Sequence, residues 1–362
     1  MLIVRSPVRI SFGGGGTDLP SYFEAYGGAV MSATINKYFY TIVGPRTDGH
    51  VQIISSDLRA CESWKDIQQV NAKGHVLEIP LAVLQELGRE VAVDLFLASE
   101  VPPGTGLGSS ACVCVNVLHA MATYLKVSLS RQELAERAFT IASQVLGKPV
   151  GKQDEYATAF GGLNFIRFDL DGSTHVEPLN LAPNLLTALQ QKLMLFFTGA
   201  THDSSSILKK QQVAIQARQS VTVASMHRIR ELAECMRQAL LEKDLKNFGL
   251  LLHEGWENKK KISSMISNVV IDRLYSLARK NGTLGGKITG AGGGGFMLLY
   301  CDEENQPAVR EALLAHGARE MLFAFDSEGS CVVVNDSFPG MYQEAKRYVD
   351  DVVRYEFPKL TL

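Results

Sequence analysis

A run of small residues between two regular segments is the first place in this sequence where chemistry is expected. Residues 101–115 read VPPGTGLGSSACVCV, with three glycines and two adjacent serines between a strand-like and a helix-like pattern. Glycine loses more backbone freedom on folding than any other residue, so this concentration indicates close backbone approach to something. A glycine loop that leads into a helix offers N–H groups and the positive end of the helix dipole to an anion. The segment therefore predicts a phosphate-binding loop.

The spacing of this loop departs from two familiar nucleotide motifs. A P-loop needs a lysine after its second glycine, and Ser109 follows Gly108 instead. A dinucleotide fingerprint needs Gly-x-Gly-x-x-Gly, whereas Gly104, Gly106 and Gly108 alternate, which argues against an NAD-dependent oxidoreductase. An ordinary tight turn that caps a helix is the structural alternative for this loop alone.

Two further glycine-rich segments accompany the loop. Residues 5–23, RSPVRISFGGGGTDLPSYF, run from a strand into four consecutive glycines followed by Thr17 and Asp18. Such a turn predicts backbone laid against a polar ligand, with Asp18 accepting hydroxyl hydrogen bonds, and a flexible hairpin is the alternative. In residues 285–300, GGKITGAGGGGFMLLY, glycines again precede a strand. A β-bulge or close packing between domains is the structural alternative to a ligand contact here.

In their order and separation, the three segments resemble the GHMP small-molecule kinases, which include galactokinase, homoserine kinase and mevalonate kinase. The middle motif of that family, Pro-x-x-x-Gly-Leu-Gly-Ser-Ser-Ala, matches residues 102–111, and its C-terminal motif resembles residues 287–294. The all-glycine first turn and GKQDEYATAFGG at residues 151–162 are most like the bacterial D-glycero-D-manno-heptose 7-phosphate kinases. Those enzymes phosphorylate the anomeric oxygen of a seven-carbon sugar on the way to nucleotide-activated heptose.

The resemblance implies an ATP-dependent sugar kinase that uses Mg²⁺ and an alcohol acceptor. Phosphoryl transfer needs a carboxylate to orient or deprotonate the acceptor hydroxyl, and Asp154 matches the aspartate that family members place there. Arg9 is expected beside it, keeping that carboxylate ionised and stabilising charge as it develops. A solvated helix face for Asp154 and a strand-end ion pair for Arg9 are the alternatives.

The resemblance also implies the contacts with ATP and the metal. Ser110 is the expected magnesium ligand. Relatives often supply a glutamate to magnesium from the helix before the catalytic aspartate, but IASQVLGK has no carboxylate, so Gln144 is left as a weak or water-mediated contact. Ser55 and Ser56 are expected near adenine or ribose. The predicted ATP-binding residues of the loop are Pro103, Gly104, Thr105, Gly106, Leu107, Gly108, Ser109 and Ser110.

Substrate contacts are expected from the outer two glycine segments and from basic residues. The distal phosphate of a phosphorylated sugar needs cations, for which Lys259 to Lys261 and the region around His202 and Lys209 are candidates. A solvated helix face is the alternative for the lysine run. The predicted substrate-binding residues are Gly14, Gly15, Gly16, Thr17, Asp18, Gly292, Gly293 and Lys259.

The predicted fold is α+β with two domains. By resemblance, residues 1–190 form a ribosomal protein S5 domain 2-like domain with the phosphate loop, and residues 191–362 form a ferredoxin-like domain. The pattern predicts strands at residues 2–4 and 8–12, at KLMLFFTG, FMLLY, EMLFAF and CVVVN, and a helix from Gln132 into Val145 capped by Ser130.

Composition limits the remaining function classes. Charge is balanced, at 36 Lys+Arg against 38 Asp+Glu, which argues against a nucleic-acid binder. The six cysteines form no CxxC pair, and no segment reads as a signal peptide or membrane span, so a cytoplasmic protein with free thiols is expected. A kinase for unphosphorylated fucose, galactose, mannose or heptose, and a catalytically silent nucleotide- or sugar-binding protein, are the alternatives. The oligomeric state is open, a homodimer included.

Overall fold

The computed structural model describes residues 1–88, 90–200 and 204–336. Within these ranges, no helix combines the length and the apolarity that a membrane span needs. Strands and helices alternate irregularly along the chain, in agreement with the predicted α+β class. Together they build two sheets with helices packed against them.

The strands supply both sheets. In chain order they are β1 Leu2–Gly13, β2 Gly28–Pro45, β3 Val51–Ser55, β4 Ala60–Trp64, β5 Val93–Ser99, β6 Leu163–Phe168, β7 Thr174–Pro178, β8 Leu193–Phe197, β9 Thr283–Ile288, β10 Phe296–Cys301, β11 Arg319–Glu320 and β12 Cys331–Asn335.

The helices lie between these strands. They are α1 Pro20–Tyr26, α2 Glu78–Glu86, α3 Ser109–Tyr124, α4 Arg131–Thr140, α5 Gln153–Phe160, α6 Pro183–Gln191, α7 Ser204–Gln216, α8 Ser220–Leu241, α9 Leu245–Lys260, α10 Val269–Lys280 and α11 Gln306–Leu314. Short 3₁₀ turns occupy Ile67–Gln69 and Glu303–Asn305, and a π-helical turn at Ile141–Val145 extends α4.

The larger sheet runs in the order β12-β1-β2-β5-β3-β4, with β6 paired to β2 and β7 to β6. Its pairings are antiparallel except that of β3 with β5. The smaller sheet is antiparallel, in the order β11-β8-β10-β9. The division into residues 1–190 and 191–362 stays a prediction, and β12 is a strand of the second segment that belongs to the sheet of the first.

The first strand prediction needs a correction, because residues 2–4 and 8–12 belong to one strand. The pairing register of β1 with β2 shifts between Pro7 and Arg9, and Pro7 has no N–H for the ladder. The strand continues past this irregularity to Gly13, so Arg9 and the first glycine segment are fixed to the larger sheet.

The expected strand at EMLFAF is wrong beyond its first residue. Strand pairing with β8 covers Arg319–Glu320, and one more N–H, that of Met321, donates to the Leu195 carbonyl oxygen of β8 at 2.8 Å. The chain then crosses to the larger sheet, where Phe325 forms an isolated bridge with Ile35. There the N–H groups of Ala324 and Phe325 donate to side chains, those of Asn36 and Gln190, instead of a strand. The helix cap at Ser130 is confirmed, because its hydroxyl accepts from the Glu133 N–H in a capping box.

The core is continuous between the two halves of the chain. Phe12, at the end of β1, contacts Phe248 of α9 edge to face, with ring centroids 5.4 Å apart. Phe248 in turn lies against Tyr300 of β10, in the smaller sheet. The four glycines at residues 13–16, which follow Phe12 directly, are therefore held where both halves meet.

Candidate active site

One cavity of about 400 Å³ collects many of the residues to which the sequence assigns chemistry. Segments that are far apart in the chain share its wall. The predicted site residues in that wall are Arg9, Gly16, Asp18, Gly104, Gly106, Gly108, Ser109, Ser110, Asp154 and Lys259, joined by Gly290 and Ala291 of the third glycine segment.

The middle glycine loop adopts a backbone that L side chains rarely accept. The φ angle is +72° at Gly104, +82° at Gly106 and +76° at Gly108. Gly108 stands before the first residue of α3, and no side chain caps the N–H groups of that helix start. The first turn of α3 lines the cavity. Uncapped N–H groups at a helix start stabilise an anion, so the loop has the geometry of a phosphate site.

The third glycine segment packs behind this loop. The Phe296 N–H donates to the Thr105 carbonyl oxygen at 3.1 Å. A Cβ atom at Gly106 would lie 2.4 Å from the Thr289 carbonyl oxygen, and one at Gly290 would lie 2.7 Å from the Gly106 Cα. Only glycines permit the two backbones to touch in this way. The phosphate loop is thus fixed by the C-terminal half of the chain.

Gly292 and Gly293, which are predicted to bind substrate, have their backbone packed against Ile266. A Cβ atom at Gly292 would lie 2.8 Å from the Ile266 carbonyl oxygen, and the Gly293 N–H donates to that oxygen at 2.8 Å. Of the third segment, Gly290 and Ala291 are the residues in the described cavity wall. The backbone of Gly292 and Gly293 is held against the turn before α10, and their substrate contact stays a prediction.

Arg9 and Asp154 form a two-bond fork in the cavity wall. Arg9 Nε donates to Asp154 Oδ1 at 2.7 Å and Nη2 donates to Oδ2 at 2.6 Å, while Nη1 donates to the Gly106 carbonyl oxygen at 2.6 Å. The Arg9 side chain is 3% exposed and that of Asp154 is 25% exposed. Such a charge-assisted fork fixes the plane of the carboxylate and leaves it open to the cavity. A strand and a helix start thereby hold one reactive group beside the phosphate loop.

Asp18 is buried, at 3% exposure, although it belongs to the cavity wall. Its Oδ1 accepts from the Gly16 N–H at 2.7 Å and from the Gln153 side-chain amide at 3.0 Å. The Gln153 backbone N–H donates to Oδ2 at 3.3 Å. Burial and the nearby charge of Asp154 raise the pKa of Asp18. Gln153, which the sequence analysis missed, thus orients a carboxylate suited to holding a hydroxyl.

Thr17 and the glycines before Gly16 build the turn instead of facing the cavity. The Thr17 hydroxyl donates to the Gly14 and Ala29 carbonyl oxygens at 2.8 and 3.0 Å, and the residue is fully buried. A Cβ atom at Gly14 would lie 1.8 Å from the Ala29 oxygen. Gly14, Gly15 and Thr17 are absent from the described cavity wall and support the turn, and their substrate contact stays a prediction.

Two buried lysines, Lys259 and Lys287, belong to this region. Lys259 Nζ donates to the Gly290 carbonyl oxygen at 2.8 Å, and burial lowers the pKa of Lys259 to about 8. Lys287 Nζ donates to the Ser11 carbonyl oxygen at 2.8 Å, and burial next to other cations lowers the pKa of Lys287 well below its ordinary value. Because Lys259 reaches the cavity wall, it is the lysine of the pair that can meet a bound anion.

The other basic residues considered for a distal phosphate are placed differently. Lys260 Nζ pairs with Glu257 at 2.9 Å, and Lys261 is exposed at the end of α9. Lys209 is exposed on α7, and His202 lies outside the described residues. None of these four belongs to the described cavity wall.

Several predicted ATP contacts also fall outside that wall. Thr105 and Leu107 are fully buried and hold the loop from within. The Ser55 hydroxyl donates to Asp57 at 2.9 Å, and that of Ser56 donates to a backbone oxygen of β5 at 3.3 Å. The predicted ATP residues absent from the described cavity wall are Pro103, Thr105, Leu107, Ser55 and Ser56.

Oxygen donors for a metal ion are available in the cavity. Ser110 is exposed at the start of α3, whereas Gln144 is exposed outside the described wall. No group of three or more His, Cys, Asp or Glu side chains within the described ranges is arranged around a metal position. The carboxylates of the wall are those of Asp18, Glu78, Asp154 and Glu155.

Glu155 is a second site residue that the sequence analysis missed. It is 1% exposed, and its Oε2 has no hydrogen-bond partner among the described residues. Burial and the charge of Asp154 raise the pKa of Glu155 well above its ordinary value. Its only sequence signal was its place beside Asp154 in KQDEY, which reads equally well as a helix face.

Known proteins share this architecture. The GHMP kinases N-terminal domain matches residues 74–162, and the GHMP kinases C-terminal domain matches residues 236–319. A D-glycero-alpha-D-manno-heptose 7-phosphate kinase of Campylobacter jejuni is 31% identical over 90% of this chain and 96% of its own length. An L-fucokinase/L-fucose-1-P guanylyltransferase of Bacteroides fragilis is 26% identical over 84% of this chain and 35% of its own length.

A solved structure extends the likeness to the fold. The crystal structure of a D-glycero-D-manno-heptose 1-phosphate kinase from Bacteroides thetaiotaomicron superposes with a TM-score of 0.77 at 28% identity. The match covers 93% of this chain and all of that one.

Proposed function

This chain belongs to the GHMP kinase family, and we propose that it phosphorylates a hydroxyl of a seven-carbon sugar phosphate. The family uses ATP as the phosphate donor. The proposed acceptor is the anomeric hydroxyl of D-glycero-D-manno-heptose 7-phosphate, for nucleotide-activated heptose synthesis. The observation that carries the proposal is the Arg9–Asp154 fork beside the uncapped start of α3.

The geometry supports a division of labour between three parts of the wall. The backbone of the middle loop, with Ser109 and Ser110, would take the ATP phosphates. Asp154 would accept the proton of the acceptor hydroxyl while Arg9 holds its carboxylate in place. Asp18, fixed by its three N–H donors, would hold another sugar hydroxyl. In-line transfer requires little more than this positioning and the neutralisation of phosphate charge.

Magnesium fits the donors that are present. Mg²⁺ takes oxygen ligands and commonly combines one or two carboxylates with phosphates and water. The Ser110 hydroxyl and the unpartnered Glu155 Oε2 offer such oxygens in the cavity wall. When bound with ATP, the ion would neutralise charge on the phosphates.

Lys259 supports an acceptor that already carries a phosphate. It is buried, its pKa of about 8 leaves it mainly protonated at pH 7, and it reaches the cavity wall. A cation that is removed from water and faces a cavity is stabilised by an anion inside it. The relatives support a heptose carrying a phosphate, although their names place that phosphate on different carbons, C7 in one and C1 in the other.

The test is ATP turnover with Mg²⁺ against a panel of acceptors, with the product identified by ³¹P NMR. The panel contains heptose 7-phosphate, heptose 1-phosphate, free heptose, mannose, galactose and fucose. We expect turnover with heptose 7-phosphate and a new anomeric phosphate resonance. Turnover with free sugars only would assign the chain to the unphosphorylated-sugar alternative. No turnover with any acceptor would favour a binding protein.

A further inference from the structure

We propose that Glu155 is the acidic magnesium ligand of this active site. The inference rests on the proposed function, because it concerns the metal that accompanies ATP. It starts from a buried carboxylate oxygen without a partner, on a residue that lines the cavity.

The other three carboxylates of the wall are already engaged. Asp18 accepts from three N–H groups. Both oxygens of Asp154 are held by Arg9. Glu78, at the start of α2, pairs with Lys148 Nζ at 2.7 Å, and both residues line the cavity. A metal ion bound to any of these would share the carboxylate with an existing cation or with N–H donors.

Glu155 differs because nothing among the described residues satisfies its Oε2. A buried polar oxygen without a partner is unfavourable, and in a folded protein it usually indicates a water, an ion or a ligand at that place. Glu155 is the first-turn neighbour of Asp154 on α5, so it is fixed to the same element as the catalytic carboxylate.

The residues around Glu155 indicate that its carboxylate lies near Ser110, the expected magnesium ligand. Ser110 and Cys114 lie four residues apart on α3, which places them on one face of that helix, and both line the cavity. Burial, and after it the electrostatic effect of the nearby Glu155, raise the pKa of Cys114, in keeping with a carboxylate near that face. The stretch without a carboxylate after α4 contributes Ala142 to the same wall, where a methyl group offers no ligand. Glu155 therefore supplies the acid from α5 that the preceding segment lacks.

The experiment measures Mn²⁺ binding by electron paramagnetic resonance in the presence of a non-hydrolysable ATP analogue and without sugar. Glu155→Gln keeps the side-chain shape and removes the charge, and Glu78→Gln is the matched control from the same wall. Loss of supporting groups around a metal typically weakens binding about ten- to hundredfold. We expect at least about a tenfold loss in Glu155→Gln, and affinity within about twofold of wild type in Glu78→Gln. Unchanged binding in Glu155→Gln, or an equal loss in Glu78→Gln, would overturn the proposal.

A second measurement covers the case in which Glu155→Gln does not fold. Protein labelled with ¹³C in its glutamate carboxyl groups is prepared with the Glu78→Gln exchange, so that Glu155 is the labelled glutamate left in the described wall. Electron–nuclear double resonance of bound Mn²⁺ should then show a strongly coupled ¹³C, and its absence contradicts the assignment. Neither measurement needs the sugar, so an error in the proposed acceptor and an error in the metal ligand give separate results.

Discussion

The position of Gly108 gives a direct way to disturb the Arg9–Asp154 fork without changing either residue. Gly108 has a φ angle of +76°. A Cβ atom there would lie 3.2 Å from both Arg9 Cζ and Asp154 Oδ2. In Gly108→Ala the fork must therefore shift by a few tenths of an ångström. A misplacement of about 1 Å at a catalytic group can cost about 10² in rate, so this shift should lower kcat about three- to tenfold.

A matched control separates this effect from backbone strain. Gly49 has a φ angle of +75°, and a Cβ atom added to it meets no atom within 4 Å. Alanine in the left-handed region costs roughly 1–2 kcal/mol, and both variants incur this cost. Thermal unfolding should show similar losses in Gly108→Ala and Gly49→Ala, whereas steady-state kinetics with the best acceptor should show the kcat loss only in Gly108→Ala. Equal kcat values in the two variants would refute the claim that the fork positions the reacting carboxylate.

Two further substitutions test the acceptor side of the cavity. Asp18→Asn should raise the KM for the sugar about 5- to 150-fold, as expected for about 1–3 kcal/mol lost from a buried hydrogen bond, with the KM for ATP within about twofold. An equal rise in both KM values would argue against a sugar contact. For Lys259, the kcat/KM for a phosphorylated sugar should fall as pH rises through about 8, and Lys259→Met should be low and flat. The pKa of Lys259 in the unfolded chain is about 10.5, so between pH 8 and 10 the unfolded state holds a proton that the folded state has lost. Lys259 therefore makes the free energy of unfolding of the wild type rise over this pH range, and Lys259→Met lacks this contribution.

The sequence predicted those parts of the site in which a motif reflects a physical requirement. Alternating glycines before a helix predicted a loop with close backbone approach, and the structure forms this loop with positive φ angles at Gly104, Gly106 and Gly108. The pairing of Arg9 with Asp154 was expected from the family resemblance, and the structure brings these residues together across 145 positions of the chain. The glycine loop depends on local sequence, and the roles of Arg9 and Asp154 follow from their side-chain types and their match to the family motifs.

The other features of the site depend on which backbone segments contact each other, and no local sequence pattern predicts these contacts. The third glycine segment looked like a substrate-binding turn, but most of its glycines serve backbone packing, as at Gly292 against Ile266. Thr17 was predicted to bind the sugar. One of its hydrogen-bond acceptors, the Ala29 carbonyl oxygen, lies on the following strand β2, and the sequence around Thr17 does not indicate this contact. Long-range contacts of this kind decide whether a polar residue faces a ligand or supports a turn.

Glu155 and Gln153 were missed for a related reason. Four consecutive polar residues in KQDE give no helical periodicity that separates a buried side chain from an exposed one. Only the approach of α3 and of the first glycine turn buries Glu155 and brings Gln153 onto Asp18. A charged residue beside a predicted catalytic aspartate is a weak signal that becomes informative once burial is known.

The most direct test of the account is the rate of phosphoryl transfer in a single turnover, measured by rapid quench with γ-labelled ATP in wild type and Asp154→Asn. General base catalysis contributes about 10²–10⁴, so the variant should slow the chemical step by that factor while the affinities for ATP and sugar stay within a few fold. Circular dichroism verifies the fold, because the exchange also removes the partner of a buried arginine. An unchanged rate of transfer in a folded Asp154→Asn protein would contradict the central role given to this carboxylate.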